Sequence, residues 1–387
     1  MNGLADRLAG GLAALDRDGL RREPRVLQSP QGARVRVAGR ELLNFSSNDY
    51  LGLAAHPSIR EAAHAAIDAF GFGAGASPLV SGNLQPHEDA QRRFASFVRM
   101  PRALLFGSGY AANLGIVAAL CDRGSHVFGD RLDHACLVDG ALLSRAKFTR
   151  YPHGDAGALE RALAASTAAR KLVATDAVFS MDGDVAPIPE LLALCERHDA
   201  WLLVDDAHGI GVLGESGRGT LEHLGVRSGR IVYMATLGKA LGGYGAFVAG
   251  GDALVEWLLQ RARTYMFSTA LPAACAAVAV RALDLLESGG AGLDRLRSNI
   301  ARLNGALDAA GLRGTRSATA IHPLIAGDAS AAVAWSARLL ERGMLVPAIR
   351  PPTVPHGTSR LRVSLSAAHS PEDVDALAAA LADTAPR

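Results

Sequence analysis

The chain has 387 residues, of which 49% are hydrophobic, so it can bury a large core and we expect more than one lobe. Its net charge is +2 and it has no basic run interleaved with aromatic residues, which argues against a nucleic-acid partner. The four cysteines are scattered, with no Cys-x-x-Cys pair and no histidine at zinc-ligand spacing, so we expect no metal. We interpret these thiols as reduced, structural groups of a cytoplasmic protein.

The amino-terminal stretch mixes charges with alanine and leucine. Residues 1–20 predict an amphipathic helix, because charged residues interrupt the apolar core that a signal peptide or membrane span needs. Other apolar runs, such as residues 273–280, are too short to cross a bilayer, so we expect no membrane partner. A hairpin is predicted over residues 35–45 and leads into residues 44–52 (NFSSNDYLG).

From about residue 54 to residue 285, helical stretches alternate with short apolar strands. This alternation predicts an α/β fold with a mainly parallel sheet sandwiched by helices. The candidate strands are residues 103–106, 126–129, 172–175, 202–204, 232–235 and 246–249.

A glycine turn follows the first of these strands. Residues 106–113 (FGSGYAAN) are typical of a strand end, a turn and a helix start, and residues 114–120 continue the helix. Free backbone N–H groups at such a start suit one phosphate, although the turn lacks the Gly-Lys-Ser/Thr of a nucleotide P-loop. Thr236 would donate a further hydrogen bond to the same phosphate.

Lys239 is one of only three lysines in the chain and the only charged residue between Arg230 and Asp252. An ammonium among Gly, Ala and Leu is poorly solvated, which favours the neutral, nucleophilic amine. That is what a Schiff-base lysine needs. A surface lysine that extends its ammonium into water is the alternative.

The ends of two predicted strands bring an aspartate and other polar residues close to this lysine. Residues 201–209 (WLLVDDAHG) predict a buried strand whose carboxyl end delivers Asp205 and His208, and the strand before Lys239 delivers Thr236. Ligands in open α/β sheets bind at such carboxyl ends. The sequence therefore predicts a site that combines an amine with a carboxylate.

Two other interpretations of this stretch are weaker. Residues 209–214 match G-x-G-x-x-G, but a dinucleotide motif turns straight from strand into helix, whereas the polar, Gly-rich residues 215–219 follow here. Asp205, Asp206 and His208 are potential metal ligands, but no second cluster completes a coordination shell.

A lysine for an imine and a carboxylate for the pyridinium nitrogen are what pyridoxal phosphate requires. The motifs V-D-D-A-H-G at residues 204–209 and T-x-G-K at residues 236–239 resemble those of the α-oxoamine synthases, which are fold-type I pyridoxal-phosphate enzymes. The similarity runs from about residue 44 to the carboxyl terminus. It implies that Lys239 carries the cofactor, that Asp205 keeps its ring nitrogen protonated and that His208 tunes its phenolic oxygen.

The resemblance implies further cofactor contacts. Residues 130–136 (DRLDHAC) are similar to a D-R-x-x-H-A motif whose histidine stacks on the cofactor ring, although a structural histidine is equally compatible with the residues alone. Residues 178–184 (VFSMDGD) resemble the segment whose serine lies near the phenolic oxygen. The implied contacts are Gly109, Tyr110, His134, Ser180, Asp205, His208, Thr236 and Lys239, with Ser268 and Thr269 reaching the phosphate of the neighbouring subunit in a homodimer.

Residues 288–292 (SGGAG) form a Gly-rich boundary, after which the predicted order of helices and strands changes. Beyond it we predict helices at 293–311 and 331–342, strands at 321–325, 344–349 and 361–365, and a last helix capped by Ser370. The chain then divides into a helix-and-hairpin segment (1–53), a large cofactor-binding α/β domain (54–287) and a small C-terminal α+β domain (288–387).

The loop of residues 348–362 (AIRPPTVPHGTSRLR) is similar to that of the family branch that joins L-alanine to a pimeloyl thioester, carried by CoA or by a carrier protein. The resemblance implies substrate contacts from an arginine after Leu20, assigned to Arg21 with Arg22 as the alternative. A guanidinium fork suits a substrate carboxylate. The other implied substrate contacts are Asn48, His134, Thr353 and Arg362.

The implied reaction is a decarboxylative condensation in which Lys239, His134, Asp205 and His208 are the catalytic residues. Alternatives within the family use glycine with acetyl-CoA or succinyl-CoA, or serine with a long acyl-CoA. A non-catalytic binding or regulatory protein on this fold is the alternative from another class, but it would have no need of an imine-forming lysine.

Overall fold

The computed structural model of the protein describes residues 3–312 and 317–386. The first two residues of the predicted amino-terminal helix, and residues 313–316 and 387 of the predicted C-terminal domain, lie outside the described residues. The strands are β1 (Arg34–Val37), β2 (Arg40–Asn44), β3 (Arg102–Phe106), β4 (Ser125–Asp130), β5 (Lys147–Tyr151), β6 (Arg170–Asp176), β7 (Trp201–Asp205), β8 (Ile231–Thr236), β9 (Ala246–Gly250), β10 (Ile321–Gly327), β11 (Met344–Leu345), β12 (Ala348–Ile349) and β13 (Ser359–Ser364).

The helices surround these strands and join them. They are α1 (Gly3–Arg17), α2 (Pro57–Phe70), α3 (Gln85–Phe97), α4 (Gly109–Leu120), α5 (Ala135–Ser144), α6 (Ala156–Ala164), α7 (Ile188–Arg197), α8 (Thr220–His223), α9 (Asp252–Arg261), α10 (Arg263–Met266), α11 (Ala273–Glu287), α12 (Leu293–Ala309), α13 (Ala329–Glu341) and α14 (Pro371–Thr384). Within the described residues, no helix is long and apolar enough to cross a membrane.

A seven-stranded sheet with the order β3-β9-β8-β7-β6-β4-β5 forms the centre of the molecule. Strands β5, β4, β6, β7 and β8 run parallel, and β9 pairs antiparallel with both β8 and β3. Alternate side chains of β7 enter two different hydrophobic clusters, Leu202 and Val204 on one face and Leu203 on the other. The sheet is therefore buried on both faces, which explains the unbroken apolar runs of its central strands.

The carboxyl ends of the parallel strands place polar residues along one edge of this sheet. β4 ends at Asp130, β6 at Asp176, β7 at Asp205 and β8 at Thr236. Asp176 and Asp205 are direct partners in the register of β6 and β7. This polar edge is where the fold positions the predicted site residues.

Two three-stranded sheets lie outside the central one. β10, β13 and β12 form an antiparallel sheet, and α13 packs against it. At α14 the predicted cap is confirmed, because Ser370 accepts a hydrogen bond from the backbone N–H of Asp373 (3.1 Å). The hairpin β1–β2 is completed by β11, which pairs parallel to β2 with Met344 opposite Leu43. The amino-terminal hairpin is thus joined to the C-terminal part of the chain.

The six strands predicted between residues 103 and 249 are confirmed, as are the hairpin and the later helices. β5 was missed, because this exposed edge strand carries Lys147 and Arg150 and has no apolar run. The strand predicted over residues 344–349 divides into β11 and β12, which belong to different sheets. Pro347 lies between them, and proline cannot donate to a strand ladder.

Candidate active site

Lys239 lies three residues beyond the end of β8, and its Nζ is 2.8 Å from His208 Nε2. Burial lowers the pKa of the Lys239 ammonium below its usual 10.5, although the nearby Asp205 and Asp176 act in the opposite direction. The lysine therefore does not extend into water as a surface lysine would. Its amine is held at the polar edge of the sheet, as the sequence predicted.

His208 connects Lys239 to a buried tyrosine. Its Nδ1 lies 2.7 Å from the hydroxyl of Tyr50, which is itself fully buried. Burial, followed by the positive charges of Lys239 and Arg362, holds the pKa of His208 well below its usual 6.5. The imidazole is therefore neutral, and a neutral imidazole donates through one ring nitrogen and accepts through the other.

The two adjacent aspartates of the β7 end have different surroundings. Asp205 accepts hydrogen bonds from Asn113 Nδ2 (2.7 Å) and from the backbone N–H of Ala207 (3.0 Å). Its charge also acts on Lys239 and His134. Asp205 therefore belongs to the Lys239 site.

Asp206 is engaged elsewhere. It accepts hydrogen bonds from Thr220 through both N–H (2.8 Å) and Oγ1 (2.5 Å), and from the hydroxyl of Tyr233 (2.8 Å). Burial raises the pKa of Asp206 to about 7. The carboxyl group of Asp206 thus fixes the turn that follows β7. Of these two adjacent aspartates, Asp205 is the one available to a ligand at the polar edge.

His134 is fixed at the start of α5. Its backbone N–H donates to Asp176 Oδ2 (3.0 Å), and its Nδ1 lies 2.9 Å from Cys136 Sγ. Burial lowers the pKa of His134, so its ring is neutral like that of His208. Burial and then the neighbouring Asp205 raise the pKa of Asp176 well above its usual value.

The start of α4 and the end of β8 lie against each other where the sequence predicts a phosphate cradle. Ser108 caps the helix, and a Cβ atom on Gly109 would lie 2.6 Å from Thr236 Cγ2, so only glycine permits this approach. The Oγ1 atom of Thr236 is buried without a hydrogen-bond partner in the described part of the chain. An unpaired hydroxyl beside a helix N-terminus fits a bound phosphate. Tyr110 is half exposed and its hydroxyl bonds to Asp139.

Ser180 lies in the loop of residues 179–184, which is the middle part of the connection between β6 and α7. Its backbone carbonyl accepts a hydrogen bond from Arg362 Nε. Arg362 also donates to Asn48 Oδ1 (3.1 Å) and lies 3.4 Å from the hydroxyl of Tyr50. The predicted substrate contacts Asn48 and Arg362 thus meet, and Tyr50 connects them to His208 and Lys239.

The two candidate arginines after Leu20 point to different partners. Arg22 Nη2 donates to Thr353 Oγ1 (2.8 Å), whereas the side chain of Arg21 pairs with the exposed Asp16 (2.8 Å). Arg22 and Thr353 both line a cavity of about 630 Å³ whose walls also include apolar residues, and Arg21 is not among its lining residues. The apolar lining residues are Leu27, Val333, Ala337, Leu340, Leu345, Pro347, Ala348 and Ile349.

Ser268 and Thr269 are exposed and form no hydrogen bond with the other predicted site residues in the described parts of the chain. They line a narrow cavity of about 30 Å³ with Phe106 and Gly107, directly before the phosphate cradle. Phe267 beside them is 68% exposed. Their position at the surface next to the cradle is compatible with a contact to a second subunit.

Sequence reasoning missed Tyr50, Asn113, Cys136 and Asp176. Each contacts a predicted site residue, and all but Cys136 do so from another element, so the only signal was their position near the carboxyl edge. Two weaker interpretations gain no support. Residues 209–214 form turns, and among the described residues no group of three or more His, Cys, Asp or Glu side chains could hold a metal.

Comparisons with known proteins agree with this geometry. The family model for aminotransferase class I and II matches residues 40–381. The chain is 54% identical to the 8-amino-7-oxononanoate synthase of Herminiimonas arsenicoxydans, over 98% of this chain and 99% of that protein. It is also 54% identical to the synthase of that name from Aromatoleum aromaticum, over 98% of each chain. The chain belongs to the 8-amino-7-oxononanoate synthase family.

Solved structures show the same architecture. A serine palmitoyltransferase from S. paucimobilis with bound PLP and myriocin superposes with a TM-score of 0.92 at 29% identity, over 98% of this chain and 96% of that one. An 8-amino-7-oxononanoate synthase from Francisella tularensis gives a TM-score of 0.77 at 29% identity, over 88% and 97%. The predictions of a fold-type I architecture and of a pyridoxal-phosphate-dependent acyltransferase are confirmed.

Proposed function

We propose that the chain condenses L-alanine with a pimeloyl thioester to give 8-amino-7-oxononanoate, carbon dioxide and free thiol. The observation that carries this proposal is the meeting of three groups at one edge of the sheet. Lys239 is connected to Arg362 through the contacts of His208 and Tyr50, and the charge of Asp205 acts on Lys239. The amine and the carboxylate suit a pyridine cofactor, and the guanidinium suits the carboxylate of an amino-acid substrate. The names of the relatives support the pimeloyl assignment.

Residues of this chain fit pyridoxal phosphate. Lys239 would bond to its aldehyde carbon, Asp205 to its ring nitrogen, and Thr236 with the start of α4, at Gly109 and Tyr110, to its phosphate. His134 would hold its ring, and His208 and Ser180 its phenolic oxygen. When bound, the cofactor supplies an electron sink for the electrons left by the departing proton and carbon dioxide.

Lys239 and His208 have the states that proton transfer requires. The depressed pKa of Lys239 makes the neutral amine accessible, so it would serve as the general base for the Cα proton of alanine. The neutral His208 holds that amine from one side and the Tyr50 hydroxyl from the other. A proton on Nζ therefore remains in contact with a hydrogen-bonded chain instead of bulk water.

Two groups of polar residues would fix the substrates. Arg362 and Asn48 would hold the carboxylate of L-alanine, since Arg362 is 5% exposed and already directed to Asn48. The cavity beside Arg22 and Thr353 would take the acyl donor, because its apolar walls suit methylene groups and its arginines (Arg22, Arg25 and Arg350) suit a terminal carboxylate. We therefore propose Arg22 in place of Arg21 as the substrate contact.

The test is a panel of acceptors and donors. The purified enzyme with cofactor would be mixed with L-alanine, glycine or serine and with pimeloyl-, acetyl-, succinyl- or palmitoyl-CoA, while free thiol is followed. We expect the highest kcat/KM for L-alanine with pimeloyl-CoA, and the same preference with the carrier-protein thioester. A preference for glycine with acetyl-CoA would keep the family fold and overturn the proposed reaction.

We further propose a homodimer in which Ser268 and Thr269 reach the cofactor phosphate of the second subunit. The support is their exposure beside the cradle, together with the exposed apolar side chains of Phe70, Phe72 and Phe267. Light scattering of an active monomer at assay concentration would contradict it. We also propose a cytoplasmic location, which the four free cysteines support.

A further inference from the structure

A histidine that the reaction does not use lies between two acids at the carboxyl edge of the central sheet. His153 follows β5, and its Nδ1 is 3.0 Å from Asp130 Oδ1 while its Nε2 is 2.9 Å from Asp184 Oδ2. The other oxygen of Asp130 accepts the backbone N–H of Gly154 (2.8 Å). The ring also meets Phe179 edge to face, with centroids 4.4 Å apart. Both ring nitrogens of His153 are therefore paired with carboxylates, and the ring also packs against Phe179.

The second acid and the phenylalanine both belong to the 179–184 loop. From the other side, the C-terminal part of the chain holds this loop through Thr319 Oγ1, which donates to the carbonyl of Gly183 (3.1 Å), and through an ion pair between Arg360 and Asp182. The loop is therefore held between two parts of the fold, and His153 is its side-chain anchor from the central sheet.

Contacts to two carboxylates require a particular charge on His153. A ring that donates from both nitrogens is the imidazolium, and the hydrogen bonds to Asp130 and Asp184 raise the pKa of His153 to about 10. Charge-assisted hydrogen bonds are roughly twice as strong as neutral ones. The second oxygen of Asp184, Oδ1, has no partner in the described structure, so His153 provides the main neutralisation of that carboxylate.

We propose that His153 is a positioning residue for the reaction, and that it holds the 179–184 loop so that Ser180 and Arg362 keep their places beside Lys239. The link to Lys239 runs through this loop, because the carbonyl of Ser180 accepts from Arg362 Nε and the charge of Arg362 acts on both Lys239 and His208. The roles of Ser180 and Arg362 in this inference rest on the proposed function. The anchoring of the loop does not.

The experiment compares His153→Ala and His153→Gln with a matched control, His126→Ala. His126 lies on the same strand as Asp130 but near its amino end, and it also bridges two partners, Ser166 and Thr149 (both 2.8 Å). Thermal melting measures the stability lost in each variant. The absorbance of the cofactor bound to Lys239, titrated with pH, reports the field at the lysine without any substrate.

We expect kcat/KM for L-alanine to fall by about ten- to a hundredfold in His153→Ala, since small misplacements of positioning groups cost up to about a hundredfold. His153→Gln, which retains one donor, should be intermediate. The midpoint of the pH titration of the cofactor absorbance should move to higher pH in both His153 variants. The reason is that the positive charge of Arg362, once less firmly held, lowers the pKa at Lys239 by a smaller amount. His126→Ala should lose stability with an unchanged midpoint.

The positioning role is wrong if His153→Ala keeps kcat/KM within about twofold of the wild type. It is equally wrong if His126→Ala, at the same loss of melting temperature, shows the same loss of activity and the same shift of midpoint. A wild type that binds the cofactor but does not join L-alanine to pimeloyl-CoA would overturn the proposed function instead. The absorbance titration still tests the anchoring in that case.

Discussion

His208 and His153 lie at the same edge of one sheet but differ in charge, since His208 is neutral and His153 is positively charged. His208 is buried between the amine of Lys239 and the hydroxyl of Tyr50, and its pKa is well below 6.5. His153 is partly exposed between Asp130 and Asp184, and its pKa is about 10. The comparison shows that the neighbours of a histidine, more than its place in the fold, decide whether it handles protons or anchors a loop.

The largest expected effect comes from removing the amine of Lys239, which contacts the neutral His208. Lys239→Ala should abolish the absorbance of the lysine-bound cofactor and reduce kcat by at least about 10³-fold, because it removes both the covalent attachment and the general base. Lys171→Ala is the control, since Lys171 bonds to the carbonyl of His198 away from the site (3.0 Å). An unchanged absorbance spectrum in Lys239→Ala would show that another group holds the cofactor.

A second test extends the comparison from histidines to the adjacent acids Asp205 and Asp206. Asp205→Asn should keep the fold and lower kcat/KM by roughly a hundredfold, because a charge-assisted hydrogen bond is worth about 1.5–3 kcal/mol and the electron-sink effect adds to it. Asp206→Asn should instead cost about 1–3 kcal/mol of unfolding free energy, since three donors meet that carboxyl group. Steady-state kinetics and urea unfolding measure both. A reversal of the two phenotypes would mean that Asp206 is the cofactor's acid.

The third test concerns the neighbouring arginines of the amino-terminal segment. Arg22→Ala should raise the KM for pimeloyl-CoA about tenfold, because Arg22 bonds to Thr353 in the wall of the cavity. Thr353→Ala should have a smaller effect in the same direction, without weakening cofactor binding. Arg21→Ala should change KM by less than about twofold, since an exposed ion pair such as that with Asp16 contributes little. A larger effect from Arg21 than from Arg22 would restore the assignment made from the sequence.

The smallest expected effect concerns the positive charge of His153 and its contribution to stability. The pKa of His153 is about 10 in the folded state, above its usual 6.5, so its stabilisation is fully present below pH 6.5 and is lost as the pH rises through about 10. The difference in melting temperature between the wild type and His153→Gln should therefore be largest just below pH 6.5 and shrink towards about pH 10. A difference that does not change over this range would show that His153 is not charged in the folded protein.

The sequence predicted the centre of the site better than its periphery. Lys239, Asp205 and His208 follow apolar strands, and parallel strands share one carboxyl edge, so local patterns were sufficient to bring them together. The choice between Arg21 and Arg22 depends on a loop more than 320 positions later in the chain, with Arg22 and Thr353 separated by 331. No local pattern records that contact.

Tyr50 and β5 were missed for related reasons. Tyr50 meets His208 across 158 positions, and a tyrosine in a loop has no periodicity that indicates its partner. β5 lies at the edge of the sheet, exposes Lys147 and Arg150 and fully buries only Tyr151, so it has no apolar run to indicate a strand.

The pairing of β11 with β2 has a consequence for the order of events at the ribosome. Leu43 lies opposite Met344, so the sheet that contains the amino-terminal hairpin lacks one strand until about 300 further residues have been made. At about 5–20 residues per second, this interval lasts on the order of 15–60 s. During that time the open side of β2 is an unpaired edge, which is the feature that recruits a foreign strand. The hairpin is therefore open to pairing with a foreign strand until β11 has been made and has paired with β2.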